Sequence, residues 1–268
     1  MTANQNLSNL LPQKALNSSV TFWFIIAVLG QWIFVAYIAA FYGGGVVDGN
    51  IENWNKVLFN GYRKDAPINN IALATHLLLA FTMHFFGPLQ LVPRIRDYAP
   101  TFHRWNGRIY IATAFIISIA GLYLVWTKMP VGGNRIGITI NGIAIFICAT
   151  MAYRYARAYD FATHRRWAIR LFLVVAGVWF FRIGLMFWLT VNQGPVGFDM
   201  KTFQGPFLSF LSLAQTFIPL AVAELYFRAQ DSTNSVLKGS VAILLFVLTI
   251  MMAIGIFAAT MGMWLPKM

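Results

Sequence analysis

Histidine occupies only four of the 268 positions, and two of the four stand in similar surroundings. His103 lies in RIRDYAPTFHRW and His164 in RYARAYDFATHRRW, and both segments share the order Arg, Tyr, Thr, His, Arg, Trp. Imidazole ligates metals and haem iron, and arginine contacts phosphate or carboxylate through two parallel N–H groups. The pair predicts an anion or cofactor site. The shared order is explained either by an internal repeat of two tandem helical hairpins or by a chance likeness of two basic loops.

The elements that position these residues are predicted to be membrane helices. Of the chain, 59% is hydrophobic and 10% charged, with a mean hydropathy of +0.64, whereas a soluble domain carries about 25% charged residues. About 20 helical residues cross a bilayer, and only internally bonded backbone is tolerated there. Seven apolar runs meet this length, at 20–43, 71–92, 106–129, 136–157, 167–190, 207–228 and 241–264.

These runs predict an all-α bundle with about seven transmembrane helices, forming a single membrane domain over 1–268. Residues 1–19 are expected to be a polar tail without the pattern of a cleaved signal peptide, so the first span stays as an anchor. Spans two to six are expected to hold a polar core, and the last span, 241–264, to pack at its periphery. The single cysteine, Cys148, excludes disulfides and cysteine-based metal sites.

The distribution of the net charge of +12 predicts the orientation. With the N-terminus inside, the inner segments hold twelve Lys and Arg residues and the outer segments seven, with Arg182 inside a span. Cytoplasmic loops carry such an excess. We therefore expect a multi-pass protein of the bacterial inner membrane, N-in and C-out, with the lipid bilayer rather than nucleic acid as its surroundings.

Ionisable residues within the spans predict a ligand pocket in the outer half of the bundle. His76 and His84 lie about 12 Å apart along span two, and Arg182 lies in span five near the depth of His76. Such residues in lipid indicate function. The other candidates are polar side chains that could instead bond one helix to another, and Glu224 is also a natural partner for an inner arginine. The pocket comprises His76, His84, Arg182, Asn141, Gln215, Gln90 and Glu224.

A second candidate site lies at the inner face. Thr101 and Thr163 are expected to be N-caps, which puts His103 and His164 in the first turns of spans three and five. Helix N-termini favour anions, and all nine cationic residues of the two inner basic segments are Arg, not Lys. The predicted cofactor-binding residues are His103, His164, Arg104, Arg108 and Arg165.

The stretch GPLQLVPRIRDYAPTFHRWNGRIY resembles a bacterial family of predicted membrane proteins, catalogued as domain of unknown function 2306. HRRWAIR further along the chain adds to the likeness, which covers roughly 70–230 as a family-like core. The resemblance implies no established reaction. The positions that match are His76, Gln90, His103, Arg104, Gly107, Arg108, His164, Arg165 and Arg182.

A looser similarity to the four-helix cores of transmembrane cytochromes b implies haem b, with His103 and His164 as iron ligands and the arginines neutralising propionates. Spans four and six hold no histidine, so His76 lacks a partner and one haem is the most that we expect. This hypothesis makes the protein a haem b or quinone-linked electron carrier with a quinone or redox partner.

Two alternatives remain open. The first is a transporter or binding protein for a small anionic or lipidic ligand held by His76 and Arg182; against transport, no span is clearly broken beyond Gly87-Pro88 and Pro219. The second is an intramembrane enzyme with histidine as acid or base beside arginine-held phosphate. No HExxH, nucleophile elbow or phosphate-cradling glycine loop is present, so the sequence does not decide whether the protein is an enzyme.

Overall fold

The computed structural model describes residues 3–58, 61–128 and 134–268, which form a bundle of long helices. Over these residues the only β-type pairing is one isolated bridge between Asp199 and Gln204. In chain order the helices are α1 (Ala3–Tyr37), α2 (Gly44–Val47), α3 (Pro67–Leu91), α4 (Pro93–Tyr98), α5 (Pro100–Lys128), α6 (Asn134–Arg157), α7 (Phe161–Val175), α8 (Gly177–Asn192), α9 (Pro206–Asp231) and α10 (Ser235–Ala259).

Within the described ranges six helices are each long and apolar enough to cross a membrane, and α7 with α8 makes up to a seventh span, bent by 54°. The expected all-α, multi-pass membrane bundle is confirmed, while the N-in orientation stays a prediction. The ends of the expected N-terminal tail and of the third expected span, residues 1–2 and 129, lie outside the described residues.

The broken span is not where the prolines suggested. Pro88 and Pro219 lie inside continuous helices, whereas the chain breaks at Ala176, between α7 and α8. The Asn141 side chain on α6 donates to the Val174 carbonyl at 2.9 Å and satisfies a backbone group beside the break. Gly177 leaves room for this amide, because an added methyl group there would lie 2.6 Å from the Asn141 nitrogen.

The first span begins earlier than the sequence predicted. Residues 3–19, expected to form a polar tail, belong to α1, and the apolar stretch runs from Leu11 to Val47. The cause is packing, since Leu16 is fully buried in a cluster with Ala229 of α9 and Val241 of α10.

Two π-helical segments extend the first and last spans. Ile38–Gly43 follows α1, and Thr260–Trp264 follows α10. The α10 helix packs against α1 and α8, and at Gly255 its backbone meets the Ile183 carbonyl so closely that a methyl group would overlap it. Its opposite side is exposed, with Phe257 68% accessible.

Arginine-rich segments gather at one end of the bundle. The connections α3–α4–α5, α6–α7 and α9–α10 all lie at this end, because successive spans run in opposite directions. We call it the basic face. It carries all nine arginines of the two segments singled out in the sequence.

Candidate functional site

A cavity of about 1670 Å³ opens among the helices at the basic face. Its mouth is formed by α4, by the first turns of α5 and α7, and by the last turn of α6. Its depth is lined by α8, α9 and α10, which place apolar side chains far from the mouth. Ligand pockets commonly measure about 300–1,000 Å³, so this cavity is large enough for a lipid-sized molecule.

The mouth of the cavity is cationic. Two histidines and six arginines line it, and no aspartate or glutamate of the described residues does. The residues are His103, His164, Arg94, Arg96, Arg104, Arg108, Arg157 and Arg165. A positive lining of this kind, beside low-dielectric walls, concentrates an anionic ligand.

Two of the acids near the basic face pair with arginines outside the cavity. Asp231 accepts from Arg166 at 2.6 Å and Glu224 from Arg170 at 2.6 Å, and neither arginine lines the cavity. Of the six lining arginines only Arg96 has a carboxylate partner within the described chain, the adjacent Asp97. Five guanidinium groups therefore remain available to a ligand.

The two histidines of the mouth lie close enough to interact electrostatically. The His164 ring donates through Nδ1 to the Ala152 carbonyl at 2.9 Å, which leaves its Nε2 as an acceptor. The Nδ1 of His103 is buried and has no hydrogen-bond partner in the described part of the chain. Each histidine thus presents at least one uncommitted ring nitrogen.

The expected caps of the two helices were wrong in detail. Helix α5 begins at Pro100, so Thr101 is inside its first turn. Helix α7 is capped by Asp160, whose carboxylate accepts from the Thr163 amide at 3.1 Å. Both histidines nevertheless lie in first turns, as predicted, because the caps moved by only a few residues.

Gln90 belongs to this cavity and not to the outer-half pocket in which we expected it. It faces Gly107, where an added methyl group would lie 3.1 Å from the Gln90 Oε1. Its Nε2 is buried and has no partner among the described residues. The absence of a side chain at Gly107 lets the Gln90 side chain of α3 approach α5, and both residues line the cavity together with the arginines.

The apolar lining was not foreseen from the sequence. One side of α8 faces the cavity with Phe180, Ile183, Gly184 and Phe187, which stand at positions i, i+3, i+4 and i+7 of the helix. Leu248 and Met251 of α10 also line the cavity. The last span was expected to pack at the periphery of the polar core. Such residues resemble any lipid-facing side chain, so nothing in the sequence could mark them.

The seven residues of the predicted outer-half pocket do not form one site. His76, His84 and Arg182 are near enough for the charge of Arg182 to act on both histidines. The Arg182 guanidinium carbon lies 5.5 Å from the centre of the Phe34 ring, and that ring lies 5.4 Å from the His84 ring.

Asn141 and Glu224 contact other helices, and Gln215 contacts its own helix. Asn141 donates to the Thr216 hydroxyl at 2.9 Å as well as to the break in span five. Gln215 donates to the Ser212 carbonyl of its own helix. Glu224 binds Arg170, as its alternative assignment predicted. Asn141 and Glu224 are thus accounted for by contacts within the protein, whereas the buried Oε1 of Gln215 has no hydrogen-bond partner among the described residues.

Metal coordination by the protein alone is not supported where the structure describes the chain. Over those residues no three His, Cys, Asp or Glu side chains lie together in a way that could hold a metal ion. A haem iron needs only two protein ligands, so this observation concerns bare ions.

Comparison with known proteins adds one finding. Residues 73–204 match the family model described as predicted membrane protein (DUF2306). The predicted family resemblance is confirmed over that range. It contains both histidine pairs, Gln90 and Arg182, while α9 and α10 lie beyond it. No curated protein and no solved structure matches the chain.

Proposed function

We propose that this membrane protein binds an anionic amphiphile, a molecule with a phosphate or carboxylate head and an apolar tail. The observation that carries the proposal is the composition of the cavity: six arginines, two histidines and no acid at the mouth, above an apolar interior. The head would lie at the basic face and the tail between α8, α9 and α10.

The chemistry of the mouth favours a multiply bonded oxyanion. Arginine forms paired, charge-assisted hydrogen bonds with phosphate or carboxylate. Arg104 and Arg108 lie one turn apart on α5, and Arg165 approaches from α7. Their attraction is not neutralised within the described chain, since none of the three has a carboxylate partner there.

In this proposal the protein is a lipid-binding protein or carrier of the bacterial inner membrane, with the basic face toward the cytoplasm. The excess of arginine at that face supports this orientation. Because the ligand enters from the bilayer or from the basic face, the outer-half pocket is not needed for its recognition.

The test uses the detergent-purified full chain and dodecyl phosphate as the probe. We expect dodecyl phosphate to raise the unfolding temperature saturably in a background of uncharged maltoside detergent. The double variant Arg104→Gln/Arg108→Gln removes two charge-assisted contacts. It should raise the dodecyl phosphate concentration at half-maximal stabilisation (the midpoint) at least tenfold, since one such bond contributes about 1.5–3 kcal/mol.

The matched control is Arg228→Gln, which changes an exposed arginine of the same face that lies outside the cavity. It should leave the midpoint for dodecyl phosphate unchanged. If the control loses as much affinity for dodecyl phosphate as the double variant, or if the double variant loses none, general surface charge binds the probe and the proposal is refuted.

Haem b is a second candidate, favoured by one observation. His164 donates its Nδ1 proton to the Ala152 carbonyl, and histidines that ligate metal usually fix their second nitrogen in this manner. His103 would supply the second axial ligand and the arginines would hold the propionates. Bound haem b would supply one-electron transfer, with a quinone or a redox protein as the electron partner.

The haem candidate is tested by the visible spectrum of the purified protein, oxidised and then reduced with dithionite. A Soret band that His164→Ala abolishes and Arg182→Ala leaves intact would support it. A colourless protein from haem-replete cells would exclude haem and leave the amphiphile proposal standing.

A further inference from the structure

A second set of buried polar groups surrounds Arg182, away from the cavity. The Phe34 ring lies at its centre, 5.5 Å from the Arg182 guanidinium carbon. The centres of the His84 and Trp264 rings lie 5.4 Å and 5.3 Å from the same phenyl ring. Four elements therefore meet here: α1, α3, α8 and the π-helical segment that follows α10.

No carboxylate of the described chain neutralises the charge of Arg182. Its Nη1 donates to the Met263 sulfur at 3.9 Å, a weak acceptor. Over the described residues it forms no ion pair, and its buried Nε has no hydrogen-bond partner. Arg182 is half-buried within a membrane span, where a cation needs a counter-charge, and the contact with the Phe34 ring is only a partial substitute.

Neighbouring side chains also present unpaired polar atoms. Trp264 is fully buried and its indole N–H has no partner within the described chain. His84 is 6% exposed; its Nδ1 donates to the Ala80 carbonyl at 2.9 Å, and its Nε2 is unpaired. Buried polar atoms are nearly always hydrogen-bonded. The arginine and indole groups can only donate, so their missing partner is an acceptor, whereas Nε2 of a neutral His84 accepts and is not part of that requirement.

The local backbone is unusual at the same place. Both π-helical segments of the described chain, Ile38–Gly43 and Thr260–Trp264, end the two helices that enclose Arg182. Single turns of π-helix are rare and frequently occur at functional sites. The second segment supplies both Met263, which contacts Arg182, and Trp264, which packs on the same Phe34 ring as Arg182.

We infer that Arg182 is the centre of a binding site for a small monovalent anion. The anion would accept hydrogen bonds from the Arg182 guanidinium and the Trp264 indole, with the Phe34 ring shifted aside. The site is separate from the cavity for the amphiphile, because Arg182 does not line that cavity whereas its neighbours Ile183 and Gly184 do. It therefore does not depend on the proposed lipid ligand.

The experiment titrates sodium bromide against sodium gluconate at constant ionic strength, with the full chain in uncharged detergent. The readouts are the unfolding temperature and the anomalous signal of bromide in crystals. We expect saturable stabilisation in the unchanged protein and a bromide peak beside Arg182. Arg182→Gln should abolish both, while Arg228→Gln, an exposed arginine outside both sites, should keep them.

A more conservative substitution keeps the test valid if Arg182→Gln fails to fold. Trp264→Phe keeps an aromatic ring in place and removes one donor, so the bromide midpoint should rise about tenfold, as for the loss of one bond to a charged group. Trp188→Phe is its control, because the Trp188 indole donates to the Val196 carbonyl at 2.8 Å, outside this cluster. No saturable response, a response that persists in Arg182→Gln, or an unchanged midpoint in Trp264→Phe would overturn the inference.

Discussion

Arg170 and Glu224 form an ion pair between α7 and α9, with 2.6 Å between Nε and Oε1. The arginine side chain is 17% exposed and also lies over the Trp167 and Phe227 rings, at 4.7 Å and 5.0 Å. This pair removes the one acid of the apolar runs from the cavity mouth. It thereby keeps the mouth positively charged.

Glu224→Gln should destabilise the protein by about 1–2 kcal/mol, because it leaves a partly buried arginine without its counter-charge. Asp231→Asn is the comparison, since the Arg166–Asp231 pair is 40% and 57% exposed and should contribute about 0–1 kcal/mol. Thermal unfolding in detergent measures both. Equal losses would mean that the burial of Arg170 does not matter.

Gly255→Ala should destabilise the contact between α10 and α8 by about 1–3 kcal/mol, since its methyl group would overlap the Ile183 carbonyl oxygen. Gly239 lies on the same helix, and a methyl group added there would have no neighbouring atom within 4 Å. Gly239→Ala should therefore stabilise by up to about 1 kcal/mol through helix propensity. The two unfolding temperatures should shift in opposite directions.

The cap of α7 predicts a pH dependence. Hydrogen bonds from the Thr163 amide and hydroxyl hold the pKa of Asp160 below its usual value. A lowered pKa stabilises the fold above the ordinary aspartate pKa of about 3.9, and this contribution is lost as the pH falls through the lowered value. Asp160→Asn keeps a capping side chain but should lose this part of the acid dependence. If the free energy of unfolding falls in the same way at acid pH in both proteins, the prediction is contradicted.

The orientation of the bundle can be measured by cysteine labelling, because the native Cys148 is buried. Val47 is 86% exposed on the side away from the basic face, and Tyr98 is 87% exposed at the basic face. With the N-terminus inside, an impermeant maleimide added to intact cells should label Val47→Cys and spare Tyr98→Cys. The reverse pattern would invert the topology and place the cavity mouth outside.

Much of the fold could be predicted from the sequence, because apolar length alone determines which segments can cross a bilayer. The clustering of His103 and His164 with arginines was also predictable, since both follow a turn between two spans. What these features share is that a local pattern of a few residues is enough to indicate them.

The remaining features depend on contacts between distant helices. Ala176 is a strong helix former, and the break there is accompanied by the Asn141 amide, 33 residues away along the chain from the carbonyl that it binds. Gln90 was assigned to the wrong pocket because depth along a helix does not reveal which neighbour it faces. The apolar interior of the cavity has no distinguishing composition at all.

The bend at Ala176 also adjusts the length of the span to the bilayer. A straight helix from Phe161 to Asn192 would measure about 48 Å at 1.5 Å per residue, well beyond a hydrocarbon core of about 30 Å. Because α8 is inclined at 54° to α7, the whole bent segment, projected on the axis of α7, measures about 37 Å at the same rise per residue. The bent segment thus reduces hydrophobic mismatch, and it does so without shortening the side of α8 that it offers to the cavity.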